Sequence, residues 1–394
     1  MQFDETSYKI TSDKPIGRIA MLIGVIGLVL SLVGYFVDAG QFFFSYLVAF
    51  AFWTTIGLGG LFFTMLHHLT NATWSIVLRR IAENIMAVLP YMVIFALPLI
   101  FGIPHLYHWS HHDVVAADKL LQGKAAYLNV TFFIIRLIFY FVIWYLLTRF
   151  LYKLSISQDQ KHEEDQIPRL RRISAPGMIL FAVTITFASF DWLMSLDAHW
   201  YSTIYGVYVF SGSVLAVLAF LILTVIYFHS NNALVKQITL EHYHDLGKLL
   251  FAFVIFWGYM AFSQYLLIWY GNMPEETQWF LARWHGSWYI VALLIVFGHF
   301  VVPFFILFPF ASKRNKTVMA IMAIWILLMH WVDLYWLAMP SLHTEGFTLS
   351  WINFVTMAGI GGVFVWIFQR KLHSQPLIPV NDPRLEQSIN FVNH

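Results

Sequence analysis

Hydrophobic positions form long unbroken runs along this chain, separated by short polar stretches. A membrane-spanning helix needs about 20 consecutive apolar residues. Ten runs are close to that length, so the pattern predicts an all-α integral membrane protein with ten transmembrane helices. The predicted spans 1 to 10 cover residues 16–37, 42–66, 84–103, 130–151, 175–194, 204–228, 248–270, 287–310, 317–338 and 350–369.

The composition excludes a soluble fold and several redox centres. Of 394 residues, 59% are hydrophobic and 11% are charged, whereas soluble domains carry about 25% charged residues. The chain has no cysteine, which excludes cysteine-ligated iron–sulfur clusters, covalent c-type haem and disulfides within it. Any redox carrier is then a partner's metal, a haem held by histidine, or a quinone.

The basic residues lie mainly on alternate connections between the predicted spans. The N-terminus, the tail and the connections after spans 2, 4, 6 and 8 hold 19 lysines and arginines, and the other connections hold three. By the positive-inside rule, both termini are predicted to face the cytoplasm, including residues 1–15. The net charge of +2 reflects these inner loops. It gives no sign of nucleic-acid binding.

A short internal similarity, the echo between the ends of spans 5 and 9, predicts the domain organisation. Span 5 ends in SFDWLMSLD and span 9 in HWVDLYWLAMP, each with an aspartate about one turn before its outer end, Asp191 and Asp333. The echo predicts one domain, 1–394, with two four-helix bundles at 42–194 (spans 2–5) and 204–338 (spans 6–9). Spans 1 and 10 flank them. The polar tail 372–394 is expected to lie along a partner or to be loosely ordered.

Polar side chains inside the predicted spans are the candidate site. Such groups are costly in a membrane and indicate function by default. A proton path would use polar groups at several depths. A quinone pocket in the outer half would also need a group that takes the quinol's protons. The candidates for either role are Asp191, Arg136, His330, Asp333, His299 and Gln264.

Each candidate also has a structural interpretation. Arg136 is explained equally well as a partner of Asp191 or Asp333 that holds the helices together. A lone buried histidine is more often hydrogen-bonded in the core than a ligand. A b-type haem between His299 and His330 is disfavoured, because their predicted depths differ by about half a helix. Glu83 lies near a predicted helix start, where a carboxylate meets the helix dipole favourably.

The histidine-rich stretch HLYHWSHHD, residues 105–113, looks at first like a metal site. Its spacing is similar to the boxes of di-iron membrane desaturases, but those enzymes need several boxes on the cytoplasmic side. A single box on the predicted outer side is better explained as an interfacial loop. The sequence therefore predicts no metal bound by this chain.

Three stretches resemble the large membrane subunits of alternative complex III, a bacterial quinol:electron-acceptor oxidoreductase. QYLLIWYGNMPEETQW (264–279) with RWHGSW (283–288) resembles the segment after their seventh helix. SFDWLMSLDAHWYSTIYG and HWVDLYWLAMP resemble their fifth and ninth helices. Those subunits are related to the NrfD and polysulfide-reductase membrane anchors. The resemblance covers nearly the whole chain, whose length is closer to that of the shorter of the two NrfD-like subunits.

The resemblance implies a bacterial cytoplasmic membrane location and a set of partners. These are the longer NrfD-like subunit, a periplasmic iron–sulfur protein, multihaem and monohaem c-type cytochromes, small membrane subunits and a terminal oxidase. The cofactors implied are quinone or quinol, either menaquinone or ubiquinone, and lipids, with none bound covalently. Beyond Asp191, Gln264 and Asp333, the residues placed in the family's outer-loop motif are Glu275, Glu276, Arg283 and His285.

Three functions are therefore open. The first is a subunit of a quinol-oxidising complex that contributes proton conduction, a secondary quinone pocket and scaffolding, without a metal centre of its own. The second is a secondary transporter with a midplane site, although the prolines lie mostly near helix ends, whereas transporters break helices near the midplane. The third is a purely structural membrane anchor whose buried charges pair.

Overall fold

The computed structural model describes Tyr8 and residues 15–160 and 165–393. The predicted N-terminal segment 1–15 otherwise lies outside the described residues. The described chain is helical and has no strand. Ten of its helices are long and apolar enough to cross a membrane, as predicted. They are Ile16–Val37, Ala39–Leu69, Ile76–Leu106, Val130–Asp159, Gln166–Leu196, Tyr205–Ser230, Leu240–Gly271, Trp288–Leu307, Lys316–Ser341 and Trp351–Ser374, spans 1 to 10 in that order.

Several spans are longer than the apolar runs that predict them. Span 3 begins at Ile76 instead of 84, and span 5 begins at Gln166 instead of 175. The additional turns contain charged residues, so an apolar run stops before them. Hydrogen bonding continues the helix through these turns because arginine, glutamate and glutamine are themselves good helix formers.

The two ends of the helix assembly differ in composition. We call the end with the C-terminal tail and the connections after spans 2, 4, 6 and 8 the basic end, and the opposite end the aromatic end. Short helices lie in two aromatic-end connections, at His112–Ala117, Lys119–Lys124 and Pro274–Trp284. The helix Pro274–Trp284 is amphipathic and begins with Pro274. The missing N–H of proline costs nothing there, because the first N–H groups of a helix have no partner within the helix.

Contacts between spans define the neighbours of each helix. Spans 2, 3, 4 and 5 contact one another in a closed circuit, and so do spans 6, 7, 8 and 9. Span 2 also packs on spans 6, 9 and 10, and it is the most buried of the ten. Spans 1 and 10 pack on each other where a methyl group added to Gly27 would lie 2.5 Å from the backbone nitrogen of Gly359. Only small residues allow that backbone approach.

The tail after span 10 folds back over the basic end. The Leu377 N–H donates to the Tyr8 carbonyl at 2.9 Å, and the Ser388 hydroxyl donates to the Trp74 carbonyl at 2.8 Å. The Ser388 carbonyl lies 3.0 Å from Nε2 of His242 in span 7. These hydrogen bonds hold the tail residues 375–393 against this chain, in contrast to the expectation of a loosely ordered tail. The expectation that the tail lies along a partner stays a prediction.

Candidate functional site

The carboxyl group of Asp191 in span 5 is fully paired. Arg136 of span 4 binds both of its oxygens, with Nε 2.8 Å from Oδ2 and Nη2 2.8 Å from Oδ1. The hydroxyls of Tyr140 and Tyr127 donate to the same oxygens at 2.7 and 3.0 Å. Asp191 is 1% exposed and Arg136 7%. Two parallel hydrogen bonds are the strongest form of an arginine–carboxylate contact.

The local sequence explains why these groups meet. Arg136 and Tyr140 are four residues apart on span 4, so they leave the same face of the helix. Tyr127 lies just before span 4, and its carbonyl accepts a hydrogen bond from Nη1 of Arg136 at 2.8 Å. The centre of its ring lies 3.8 Å from the guanidinium carbon of Arg136. Of the two partners that the sequence allows for Arg136, the structure selects Asp191.

Asp333 of span 9 has different surroundings. It is 2% exposed, and its oxygens accept hydrogen bonds from the Tyr208 hydroxyl and from the indole N–H of Trp257, the latter at 3.3 Å. Among the described residues, no lysine, arginine or histidine forms an ion pair with Asp333. A buried carboxyl group that no cation balances is a candidate site of proton exchange in a membrane protein.

His299 lies where the backbone of span 8 changes its geometry. Residues Val296–Val301 form a π-helical turn. Pro303 explains the change, because it lacks the N–H that would bond to the His299 carbonyl and its ring would clash with that carbonyl in an α-helix. The His299 ring lies 4.1 Å from the Trp257 ring, and neither ring nitrogen has a partner in the described part of the chain. Such turns are frequent at functional sites.

His330 faces span 2 from the interior side of span 9. Its Nε2 lies 3.0 Å from the Thr55 hydroxyl, and its Nδ1 has no partner within the described ranges. Gly212 of span 6 makes room for the ring, since a methyl group there would lie 3.0 Å from it. His330 and Asp333 lie one turn apart on the same face, in agreement with their spacing.

The six predicted residues therefore separate in the structure. Gln264 of span 7 stands apart and accepts a hydrogen bond from the Ser202 hydroxyl at 3.0 Å. The Arg136–Asp191 pair shares no partner with the groups around Asp333. We call the second set the Asp333 group, and its members are Asp333, Tyr208, Trp257, His299 and His330.

Of the outer-loop motif residues, Arg283 anchors its connection to span 9. Arg283 donates to the carbonyls of Trp336 at 3.3 Å and Leu337 at 2.7 Å, at the end of span 9. Its guanidinium carbon lies 3.5 Å from the Trp279 ring centre. Burial lowers the pKa of Arg283 to about 9. The other motif residues there are exposed or partly exposed: Glu275, Glu276 and His285.

The histidine-rich stretch 105–113 makes loop contacts. No three His, Asp or Glu side chains come together as a metal site, there or elsewhere in the described residues. Nε2 of His111 lies 2.9 Å from the Pro104 carbonyl. His199 lies 2.5 Å from Asp118, and the hydrogen bond from His199 lowers the pKa of Asp118. These contacts tie neighbouring connections together at the aromatic end.

A buried ionic cluster at the basic end has no counterpart in the sequence prediction. The apolar runs place Arg79 and Arg80 in the connection after span 2, yet both residues are buried in span 3. Arg79 binds Asp382 of the tail at 2.6 Å, and Arg80 binds Asp159 of span 4 at 2.7 Å. Glu83 lies 3.3 Å from Arg79 and 3.5 Å from Arg80.

The cluster corrects the explanation of Glu83 as a residue at a helix start. Span 3 consists of two helical segments, Ile76–Met86 and Leu89–Leu106. Glu83 lies in the last turn of the first segment, about two turns after its start, and balances two arginines. The i, i+4 spacing of Arg79 and Glu83 is a signal that the sequence did contain. Asp382 could not be found in this way, because it lies 303 residues from Arg79.

No model of a known family matches this chain, and no curated protein is significantly similar to it.

Proposed function

We propose that this chain is an integral subunit of a quinol:electron-acceptor oxidoreductase in the bacterial cytoplasmic membrane. Support comes from the ten apolar spans and from the stretches that resemble alternative complex III, above all WYGNMPEE. Within that complex the chain would be the shorter of the two NrfD-like subunits, ActF. Its partners would be the longer NrfD-like subunit, the iron–sulfur protein and the c-type cytochromes.

The proposed architecture has two four-helix bundles, spans 2–5 and 6–9, with spans 1 and 10 as a peripheral pair. The two closed circuits of helix contacts support this layout. The basic end would face the cytoplasm, which places both termini there. The excess of lysine and arginine on that side supports the orientation.

The proposed role of the second bundle is proton conduction through the Asp333 group. The observation that carries this role is the burial of Asp333 with no balancing cation among the described residues. In the same part of the chain, neither ring nitrogen of His299 has a partner, and Nδ1 of His330 has none. Asp333 would exchange protons by way of the Tyr208 hydroxyl. His299 and His330 would offer further acceptors in the same interior. Electrons would come from redox centres in partner subunits.

The role proposed for the first bundle is scaffolding. Asp191 already accepts four hydrogen bonds, and its charge is balanced by Arg136. A carboxylate held in this way has little freedom to exchange a proton, because protonation would break the bidentate contact. The structural-anchor interpretation thus applies to the Arg136–Asp191 pair, while the Asp333 group carries the chemistry.

The test begins with a mild-detergent purification through a tag on this chain. Co-purifying multihaem cytochromes and an iron–sulfur protein are expected, and a chain that comes out alone and colourless contradicts membership of the complex. The complex is then reconstituted into vesicles with the Asp333→Asn variant. Protons translocated per quinol, counted beyond the two that quinol oxidation itself releases, should fall by about tenfold or more, because asparagine cannot exchange a proton.

The matched control is Asp113→Asn, which removes an exposed carboxyl group at the aromatic end. It should leave the proton yield unchanged. Intact assembly of the Asp333→Asn complex is checked by its haem content. An unaltered proton yield in an intact Asp333→Asn complex would refute proton conduction through this group and leave the anchor role.

A further inference from the structure

An apolar crevice opens sideways from the helix assembly between spans 2, 6, 9 and 10. It has a volume of about 610 Å³ and extends from Trp331 and Phe354 at one end to Tyr227 and Gln369 at the other. Phe354 is 51% exposed on the apolar outer surface, so the crevice opens toward lipid. Along span 10 it extends from Phe354 to Gln369, which is about 22 Å of helix.

The lining of the crevice is neutral and rich in aromatic rings. None of its 17 described lining side chains is charged, and seven are aromatic. A phosphate headgroup needs lysine or arginine to balance it. The crevice therefore suits an uncharged amphiphile with a flat ring, because aromatic side chains stack on flat rings.

Two polar groups at the basic end of the crevice lack protein partners. The Gln369 side chain is 7% exposed, and neither its amide nor the Tyr227 hydroxyl makes a hydrogen bond to the described residues. Nearby Thr224 is different, since its hydroxyl donates to the Phe220 carbonyl at 2.8 Å. Tyr227 is half-buried, whereas Gln369 is almost completely buried. Buried polar groups are normally paired, so the Gln369 amide, with the Tyr227 hydroxyl in the same crevice, indicates a ligand with acceptor oxygens.

We infer that this crevice binds an isoprenoid quinone, with the ring at Gln369 and Tyr227. The ring carbonyls accept hydrogen bonds from the Gln369 amide and the Tyr227 hydroxyl. The isoprenoid chain follows spans 9 and 10 and leaves toward lipid beside Leu328 and Phe354. The inference rests on the proposed function only for the presence of quinone in the same membrane. It is independent of proton conduction.

This site differs from the quinone pocket expected from the sequence. That pocket is predicted in the outer half, among the intramembrane polar residues. None of those six candidates lines the crevice. The nearest link is Phe52, which lines the crevice and lies 5.5 Å, ring to ring, from His330. The isoprenoid chain of a quinone bound here would therefore pass one aromatic side chain away from the Asp333 group.

The test is photolabelling of membranes that contain the full-length chain. The probe is an azido-naphthoquinone with an isoprenoid chain, illuminated in the presence or absence of excess menaquinone-4. Labelled peptides are identified by mass spectrometry. We expect label on spans 6 and 10 around Tyr227 and Gln369, and we expect menaquinone-4 to suppress it.

Two variants probe the site by different means. Gln369→Leu combined with Tyr227→Phe removes both donors, and labelling should fall by about tenfold. Ala358→Phe fills the crevice without touching the donors, and it should lower labelling to a similar extent. The matched control combines Gln278→Leu with Tyr259→Phe, because both of these residues are exposed outside the crevice. The control should label like the parent chain.

The outcomes separate this inference from the proposed complex. Suppressible label at spans 6 and 10 supports the inference even where the chain purifies without cytochromes. Label that is spread over the outer surface, or that all variants retain, overturns it. Retention of a phospholipid in the crevice with no displacement by menaquinone-4 also overturns it, whether or not the complex forms.

Discussion

Asp191 and Asp333 show how two residues of the same type acquire different roles. Each lies near the aromatic end of its span, and each is almost completely buried. Arg136 balances Asp191, whereas among the described residues only the neutral Tyr208 and Trp257 bind Asp333. The cost of a buried charge depends on its partners, so the partners decide which aspartate is fixed and which can exchange a proton.

Removal of one member of the Arg136–Asp191 pair should be more harmful than removal of both. Asp191→Ala leaves a buried guanidinium without its counterion and should lower the free energy of unfolding by about 3–5 kcal/mol. The double variant Arg136→Met, Asp191→Leu should recover much of that loss, because neither charge is then buried alone. Thermal unfolding of the purified chain in detergent measures both.

The comparison of single and double variants also tests the scaffolding role. Equal losses in the two variants would show that the pair is not the source of stability. A fall in proton yield in the double variant, with its stability restored, would show that the pair carries protons after all.

Sequence reasoning at the residue scale identifies which groups are buried but not which groups meet. The six candidates are all buried, because polar residues within long apolar runs are easy to recognise. The partner of Arg136 depends on the rotation of spans 4 and 5 about their axes. That rotation follows from side-chain packing across the interface, which a single sequence does not reveal.

At the scale of one element, span 8 joins a proline to a histidine. Pro303 withholds one backbone hydrogen bond, the Val296–Val301 turn widens, and His299 lies within that turn. The indole N–H of Trp325 in span 9 donates to the Gly298 carbonyl at 2.7 Å. The neighbouring helix thus satisfies a carbonyl in the widened turn, as is usual where helices are irregular inside a membrane.

Pro303→Ala should convert the widened turn to a regular α-helix, because alanine restores the missing N–H. A π-helical turn holds one residue more than an α-helical turn. Its conversion to an α-helix therefore rotates one part of span 8 by about 100° relative to the other, which moves His299 away from Trp257. Slower hydrogen exchange at 296–303 together with a lower proton yield is the expected result. Pro98→Ala in span 3, another proline inside a helix, is the control and should leave the yield unchanged.

The elements themselves are the most predictable part of this protein. Ten apolar runs correspond to ten spans because the membrane requires a fixed length of apolar helix. The apolar runs do not predict the polar first turns of spans 3 and 5. The charges in these turns are neutralised by residues distant in sequence or lie at the ends of helices. The widened turn is also missed, because Pro303 alone does not specify how the backbone adapts.

For the whole molecule, the central prediction concerns orientation. The chain has no cysteine, so single introduced cysteines report on each side without background. Gly123→Cys lies at the aromatic end in open space, and Glu386→Cys lies exposed on the tail. A membrane-impermeant maleimide applied to intact cells should label position 123, and it should label position 386 only after permeabilisation.

The parent chain is the control and should remain unlabelled. The reverse pattern, with position 386 labelled in intact cells, would place the basic end outside and contradict the positive-inside assignment. Such a result would also move the tail and the ionic cluster to the side on which partner cytochromes are proposed.

The salt bridge between Arg79 and Asp382 has a consequence for biogenesis. Arg79 belongs to span 3, but Asp382 follows all ten spans and is synthesised 303 residues later. Until then, the partners of Arg79 among the described residues are Glu83, which it shares with Arg80, and the side-chain oxygen of Gln158. Asp382 thus joins the cluster only after span 10 has been synthesised. A ribosome that stalls within span 10 leaves Arg79 without this carboxylate.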